Sequence, residues 1–152
     1  MRFFGEHTAT LDAKSRVAVP AKLRDRVDER ERDQFMLVVL PEGCLALYPM
    51  SEFERIDREI EARVNVSLAE VEQRDFERNL YSKAHHVQCD RQGRVLVPEK
   101  ARQRAALGKD VTFVGARNRI ELWDSARWEA QDQERTGSYA KGAKSVLGPR
   151  GA

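Results

Sequence analysis

The chain carries one short sequence pattern twice, and this duplication is the feature that most constrains its fold. Residues 12–20 read Asp-Ala-Lys-Ser-Arg-Val-Ala-Val-Pro, and residues 90–98 read Asp-Arg-Gln-Gly-Arg-Val-Leu-Val-Pro. Both copies keep an acidic residue, a cation four positions later and an alternating Val-x-Val-Pro ending. The offset is 90 − 12 = 78 positions in a chain of 152 residues. Because an internal repeat decides the architecture of a chain, we interpret each half as one structural unit.

The repeat extends in both directions from this pattern. Upstream, residues 7–11 align with residues 85–89 at the same offset, and both segments alternate as half-buried strands do. Downstream, residues 45–48 align with residues 120–123 at an offset of 120 − 45 = 75, so the connection is shorter in the second copy. Each copy is predicted to form a strand, a tight turn, a strand, a short helix, a pair of hydrophobic strands and a helix.

This order of elements predicts an α+β fold in which both copies share one core, since each half alone is small for an independent domain. The first repeat spans residues 3–80 and includes two extra helices, and the second spans residues 81–135. Residues 136–152 are basic and contain glycine and few large apolar side chains, so we expect this tail to be disordered.

Helix starts are predicted from residues that satisfy free backbone groups. Pro20 and Pro98 are expected to open a short helix after each repeated pattern. Ser51 and Ser67 each have Glu three residues later, which predicts capping boxes for two longer helices. Asp124 is expected to cap a further helix.

The charge distribution is more informative than the net charge, which is only +2. Residues 12–24 hold four cations and one acid, and residues 90–104 hold five cations and two acids, so each segment carries a net +3. Residues 51–79 hold nine acids and five arginines, a net −4. A local basic region is what a polyanionic partner requires. The acidic helices are expected to face solvent or a basic surface of a neighbouring subunit.

The repeated pattern predicts two similar turns. Asp12 and Asp90 are expected to accept hydrogen bonds from backbone N–H groups further along each turn. Gly93 lies where a positive φ is expected, which glycine adopts easily. Its counterpart is Ser15, for which that conformation costs about 1 kcal/mol.

Two arginines are predicted to form a paired cationic site. With the flanking valines pointing inward, Arg16 and Arg94 must point outward, and the planar guanidinium group suits phosphate and guanine edges. The alternative is that each arginine forms an internal salt bridge to the aspartate four residues earlier, and the two roles can coexist. The candidate DNA-binding residues are Lys14, Arg16, Lys22, Arg24, Arg91 and Arg94.

Other chemistries are not supported by the sequence. Cys44 and Cys89 lack CxxC spacing and are predicted to be buried thiols in a reducing cytosol. His85 and His86 are adjacent on a strand, so they cannot jointly bind one metal, and His7 aligns with His85. With no catalytic triad or phosphate-binding glycine loop, the chain is predicted to be no enzyme and to use no metal, cofactor or small-molecule substrate. No apolar run predicts a signal peptide or a membrane span.

These motifs together resemble the MraZ family of bacterial transcriptional regulators over about residues 3–130. The segments that carry the resemblance are Phe4-Gly-Glu-His-Thr, residues 11–24, Cys44-Leu-Ala-Leu-Tyr-Pro, residues 90–98, residues 114–124 and Trp128-Glu129. One departure is Ser15, where the family has glycine.

The resemblance implies a fold, an assembly and a function. The fold is an internally duplicated AbrB-like, double-split (swapped-hairpin) β-barrel with peripheral helices, in which one chain supplies both hairpin units. The assembly is a homo-oligomeric ring of eight or more subunits, cytoplasmic and nucleoid-associated. The function is binding of short, G-containing direct repeats in double-stranded DNA upstream of the protein's own operon, in the division and cell-wall gene cluster, usually as a repressor.

The resemblance also assigns roles to particular residues. It implies DNA contacts by Arg16 and Arg94, with Lys14 beside the first, whereas Arg91 is added from charge alone. Two other hypotheses remain open from the residues themselves. One is an antitoxin-like DNA-binding module whose acidic helices neutralise a toxin partner. The other is a scaffold protein without a DNA ligand, whose repeat only builds an oligomer.

Overall fold

The computed structural model describes residues 2–64 and 70–150, which form an α+β protein. The first half comprises β1 (Glu6–Thr10), β2 (Arg16–Ala18), α1 (Ala21–Arg24), β3 (Gln34–Val39), β4 (Leu45–Pro49), α2 (Met50–Val64) and α3 (Val71–Ser82). The second half comprises β5 (His85–Gln88), β6 (Arg94–Leu96), α4 (Glu99–Arg104), β7 (Asp110–Gly115), β8 (Ile120–Asp124), α5 (Ser125–Ala130) and α6 (Asp132–Leu147).

The two halves exchange strands in one antiparallel sheet. The six-stranded sheet has the order β1-β7-β8-β4-β3-β5. The first strand of each half pairs with the third strand of the other half, β1 with β7 and β5 with β3. At the centre, β4 pairs with β8. Since both halves complete the same sheet, the duplication produces one intertwined structure.

The second strands of the two halves form a separate antiparallel ribbon. The pairs across β2 and β6 are Arg16–Leu96, Val17–Val95 and Ala18–Arg94. The repeat relates Val17 to Val95, so this central pair lies on a pseudo-two-fold axis. The equivalent pair in the main sheet is Ala46–Glu121. The ribbon therefore presents the equivalent residues of both halves in a symmetric arrangement.

One hydrophobic core serves both halves. Val17 and Val95 each expose 1% of their surface and point into it, as do Phe35 and Phe113 from the main sheet. Burying a side chain of this size contributes about 1.5–3 kcal/mol to folding. A smaller cluster around Phe53 lies under α2 and α3. The ribbon is thus anchored by its inner face, which fixes the direction of its outer face.

The hydrogen-bonded sheet of the described residues does not close into a barrel. Strands β1 and β5 are its two edges, and the β2–β6 ribbon is a separate ladder. The coarse prediction of a duplicated α+β fold is confirmed. No helix within residues 2–64 and 70–150 is long and apolar enough to cross a membrane.

The predicted helix starts have different outcomes. Pro20 and Pro98 directly precede α1 and α4, and the Asp124 side chain accepts a hydrogen bond from the backbone at the start of α5, as predicted. The prediction of a capping box at Ser51 is wrong, because α2 begins one residue earlier, at Met50. Glu31 accepts hydrogen bonds from the Ser51 backbone N–H and hydroxyl, at 3.1 and 2.6 Å.

The second predicted capping box and the C-terminal tail differ in how far the structure describes them. Ser67 lies outside the described residues, and α3 follows Glu70 with no side-chain cap. The sequence predicts disorder for residues 136–152, but in the structure residues 136–147 belong to α6. Gly137 and Gly142 each lower the helix propensity by about 1 kcal/mol, so propensity does not account for this helix. Arg135 lies 3.4 Å from the centre of the Trp128 ring, and this contact anchors the first turn. No residue of α6 is buried.

Candidate nucleic-acid interface

The two repeated turns have the same hydrogen-bond geometry. In the first, Asp12 Oδ1 accepts from the backbone N–H groups of Lys14 and Arg16, both at 2.8 Å. In the second, Asp90 Oδ1 accepts from Gln92 and Arg94 at 2.9 and 3.0 Å. Each aspartate carboxylate therefore closes its own turn and fixes the start of the following strand, β2 or β6.

The second carboxylate oxygen orients the arginine. The Arg16 Nε atom donates to Asp12 Oδ2 at 2.8 Å, and Arg94 Nε donates to Asp90 Oδ2 at 2.9 Å. Hydrogen bonds from the arginine backbone, opposed by some desolvation and reinforced by the guanidinium, lower the pKa of both aspartates. Both carboxylates are therefore charged at neutral pH, and the internal salt bridges considered from the sequence are present.

These salt bridges leave one edge of each guanidinium group available. Within the described residues, no hydrogen bond or ion pair joins the terminal Nη atoms of Arg16 or Arg94 to another side chain. The Arg16 side chain is 33% exposed and that of Arg94 is 30% exposed. An edge of two Nη groups can donate two parallel hydrogen bonds to phosphate or to a guanine edge.

Both arginines lie on the same face of the ribbon. Val17 and Val95 point into the core, so Arg16 and Arg94 point to the opposite face because side chains alternate along a strand. They occupy diagonal positions across the β2–β6 strand pair, and the backbone positions of such residues are about 7–8 Å apart. The structure thus brings one arginine from each repeat to a common surface.

A second pair of arginines joins each turn to the other half. Arg102 of α4 donates from Nη1 to the Ser15 hydroxyl at 2.8 Å and from Nε to the Leu107 carbonyl at 3.2 Å. Its counterpart in the repeat, Arg24, covers Gly93 so closely that a Cβ atom there would lie 1.6 Å from the Arg24 Nη1 atom. Ser15 and Gly93 have positive φ values of 61° and 77°.

The other candidate cations occupy different environments. Lys14 and Arg91 are exposed in the two turns, and Lys22 is exposed on α1. Lys14 also lines a cleft that includes Leu96 of the opposite strand. Arg24 is half-buried against the second turn, so its guanidinium group is held there instead of extending into solvent. Lys14 is therefore the candidate lysine that shares a cleft with a residue of the ribbon.

Sequence reasoning missed two residues of this surface. Arg102 aligns with Arg24 at the repeat offset, so the alignment could have indicated its equivalent role. Leu96 lies between two inward valines, and the strand alternation alone predicts that it points outward with Arg16. Its exposure of 58% agrees with that position.

The remaining polar candidates lie apart from this surface. His7 and His85 are half-buried in β1 and β5, and His86 Nε2 lies 3.1 Å from Gln34 Oε1. Residues 2–64 and 70–150 contain no group of three His, Cys, Asp or Glu side chains that could hold a metal ion. Cys44 and Cys89 are free and buried, as predicted, and burial raises the pKa of both thiols.

The fold and surface define a duplicated α+β protein that carries one Asp-x-x-x-Arg turn in each half. The sequence matches twice the model of the family described as "MraZ protein, putative antitoxin-like", over residues 2–79 and 80–147. The chain belongs to the MraZ family. The two matched ranges agree with the duplication that the repeat predicts.

Similar proteins carry the same name in several bacteria. The "Transcriptional regulator MraZ" of Cutibacterium acnes is 39% identical over 138 residues, which cover 91% of this chain and 92% of that protein. Those of Kineococcus radiotolerans and Heliobacterium modesticaldum are 37% and 34% identical over 145 residues, which cover 95% of this chain and 96% of each relative. These names describe regulators of transcription and not enzymes, which agrees with the prediction that the chain is no enzyme.

Proposed function

We propose that this protein is a sequence-specific DNA-binding transcriptional regulator that reads DNA with the outer face of the β2–β6 ribbon. The observation that carries the proposal is the pair of guanidinium groups on that face, each held at Nε by its aspartate with the Nη edge available. A two-stranded ribbon fits into the major groove, where arginine pairs with guanine O6 and N7. The names of the relatives support regulation of transcription.

The geometry supports base reading in addition to phosphate attraction. A guanidinium group fixed by a carboxylate loses less conformational freedom on binding than a free arginine side chain does. The two arginines arise from diagonal strand positions about 7–8 Å apart, so their long side chains can reach different bases of one site. Lys14, Arg91 and Lys22 are exposed and available to phosphates. Phosphate contacts position the protein, while the arginines specify the sequence.

The proposal includes an oligomer on repeated DNA sites. One chain offers two oriented arginines and a few lysines, and each such contact is modest and weakened by salt. A ring of eight or more subunits, each on one short repeat, would multiply these contacts by raising the effective concentration. We further propose that the repeats are tandem G-containing sites in the promoter of the protein's own operon, in a division and cell-wall gene cluster, and that binding represses it.

The remaining finer points of the proposal concern fold and location. The exchange of β1 and β5 between halves supports a swapped-hairpin, AbrB-like double-split barrel made by the sheet and the ribbon together. Residues 3–80 and 81–135 are then the two repeat units of one fold. A DNA-binding role implies a cytoplasmic protein associated with the nucleoid.

The test is a binding titration with matched arginine variants. We expect Arg16→Ala and Arg94→Ala each to weaken binding to a labelled duplex of the upstream region of the protein's own gene by about 5- to 150-fold, the value of one bidentate arginine–base contact. Arg78→Ala is the control, because it removes the same charge and an Asp–Arg ion pair on α3, away from the ribbon. Fluorescence anisotropy measures the affinity, and circular dichroism checks folding.

The outcomes of this titration are distinct. Unchanged affinity for both ribbon variants, or an equal loss for Arg78→Ala, would contradict the proposal. Raising the salt concentration should also weaken binding of the unsubstituted protein steeply, as for other phosphate-contacting proteins. A protein that binds no DNA at low salt would favour the scaffold hypothesis.

A second candidate function is binding of a protein partner, as in an antitoxin-like module. The observation that favours it is an apolar groove between α2 and α3, lined by Leu40, Ile56, Ile60, Phe76 and Leu80 among others. Phe76 is 50% exposed at this groove. If the groove binds a toxin, co-expression with a toxin encoded beside the gene should yield a stable complex, and Phe76→Asp should abolish that complex without changing DNA affinity.

A further inference from the structure

The outer face of the ribbon contains one large exposed apolar side chain. Leu96 is 58% exposed, although it lies in a strand between Val95 and Val97, which are 1% exposed each. It stands directly opposite Arg16 and is a strand neighbour of Arg94 on the same face. The exposed Leu96 side chain does not contribute to the core, because Val95 and Val97 provide the core packing of this segment.

The repeat shows that the fold does not require a large apolar residue at this position. The equivalent residue of β2 is Ala18, at the repeat offset of 96 − 18 = 78, and it lies opposite Arg94. Both positions belong to three-residue strands in equivalent registers. The two ends of the ribbon thus carry the same arginine with different apolar neighbours, leucine beside Arg16 and alanine beside Arg94.

We propose that Leu96 is a specificity residue that contacts the C5-methyl group of a thymine beside the base read by Arg16. This inference rests on the proposed DNA-binding function. Directly opposite residues on one face of an antiparallel pair have Cβ atoms about 4.5–5.5 Å apart. An arginine and a leucine at this separation can therefore reach the edges of neighbouring base pairs.

The chemistry of the major groove favours this ligand. Thymine presents its methyl group there, and G·C pairs present no such apolar group in that groove. Leu96 and Lys14 line the same cleft, so an apolar contact and a cation for the adjacent phosphate lie side by side. At the other end, the side chain of Ala18 is too short to cover a methyl group to the same extent. The protein should therefore depend on thymine more strongly at the Arg16 end of its site.

The test removes the methyl group from the DNA and the side chain from the protein. The probe is a duplex selected by the protein from a random-sequence library, in which each thymine is replaced in turn by deoxyuridine. We expect one replacement per bound unit to lower the affinity of the unsubstituted protein by about four-fold, the value of one buried methyl group. In Leu96→Ala the same replacement should have no effect, while replacements elsewhere keep their effects.

A matched control separates this contact from a general change in surface hydrophobicity. Leu147→Ala removes another exposed leucine, 82% exposed at the end of α6, and should retain the full deoxyuridine effect. An equal deoxyuridine effect in Leu96→Ala and in the unsubstituted protein would overturn the inference. In that case Leu96→Ala would lower the affinity by the same factor on the thymine and deoxyuridine duplexes, which shows that the side chain and the methyl group are not coupled.

Arg16→Ala, titrated on the same duplexes, distinguishes failure of this inference from failure of the proposed function. If Arg16→Ala binds as tightly as the unsubstituted protein, the proposed function itself is contradicted. If Arg16→Ala loses affinity and no deoxyuridine effect depends on Leu96, only the thymine contact is wrong.

Discussion

The contact between Ser15 and Arg102 allows a prediction in which one substitution has opposite effects in two backgrounds. Ser15 has a φ of 61°, a left-handed conformation that costs a residue with a Cβ atom about 1 kcal/mol. Its hydroxyl accepts a hydrogen bond from the charged Arg102 guanidinium at 2.8 Å. Such a bond to a charged group contributes about 1.5 kcal/mol. The strain and the hydrogen bond therefore act in opposite directions on the same residue.

The expected free energies of unfolding follow from these two terms. In Ser15→Gly the strain of about 1 kcal/mol is relieved, while the extra flexibility of glycine in the unfolded chain offsets about 0.5 kcal/mol. The hydrogen bond is lost, so the protein should be destabilised by about 1 kcal/mol. In an Arg102→Ala background the bond is already absent, and Ser15→Gly should stabilise the protein by about 0.5 kcal/mol. The coupling energy is about 1.5 kcal/mol.

Urea unfolding of the four proteins of this cycle measures the coupling. Tryptophan fluorescence reports unfolding, because Trp123 is buried in the sheet. All four proteins are compared at one protein concentration, because assembly shifts apparent stability by mass action. If Ser15→Gly changes the free energy of unfolding equally in both backgrounds, the reasoning about this contact is refuted.

Three further predictions concern the turns and the buried thiols. Gly93→Ala should destabilise the protein by about 2 kcal/mol in thermal unfolding, because the Gly93 φ is 77° and a Cβ atom would collide with the Arg24 guanidinium group. The control is Gly142→Ala, which should be neutral or stabilising because the space around Gly142 is open. Folding lowers the pKa of Asp12 below its ordinary value of 3.8. The charged carboxylate therefore stabilises the folded protein fully above pH 3.8, and this stabilisation is lost as the pH falls through the lower pKa of the folded state. Asp12→Asn should therefore reduce the acid-induced loss of stability between pH 5 and pH 2 (about the range of an aspartate), and an unchanged pH profile would contradict this assignment. Burial raises the pKa of Cys89 to about 11, so neither it nor Cys44 should react with a thiol reagent at neutral pH until urea unfolds the chain; rapid reaction of the folded protein would show that the thiols are accessible.

The repeated turns could be predicted from the sequence because their chemistry is local. Asp12 bonds to backbone groups two and four residues away, and the positive φ of Gly93 follows from its place in the same short pattern. The outward direction of Arg16 follows from strand alternation, which also needs only neighbouring residues.

Other features could not be predicted because they depend on distant parts of the chain. Alternation predicts that residues 7–11 form a strand but not that this strand pairs with β7 of the other half. Ser51 looks like a helix cap by its spacing to Glu54, yet the group that bonds to it is Glu31, twenty residues earlier. The glycines and charge of residues 136–152 predict disorder, whereas α6 is anchored before this tail by the contact of Arg135 with Trp128, which the composition of the tail does not show.

A structure of the protein bound to a duplex that it has selected from random sequence would show which surface contacts the DNA bases. We expect the β2–β6 ribbon to lie in the major groove, with the Nη atoms of Arg16 and Arg94 of one chain within about 3.2 Å of base-edge oxygens or nitrogens. A complex in which that ribbon faces solvent, while another surface of the protein contacts the duplex, would contradict it.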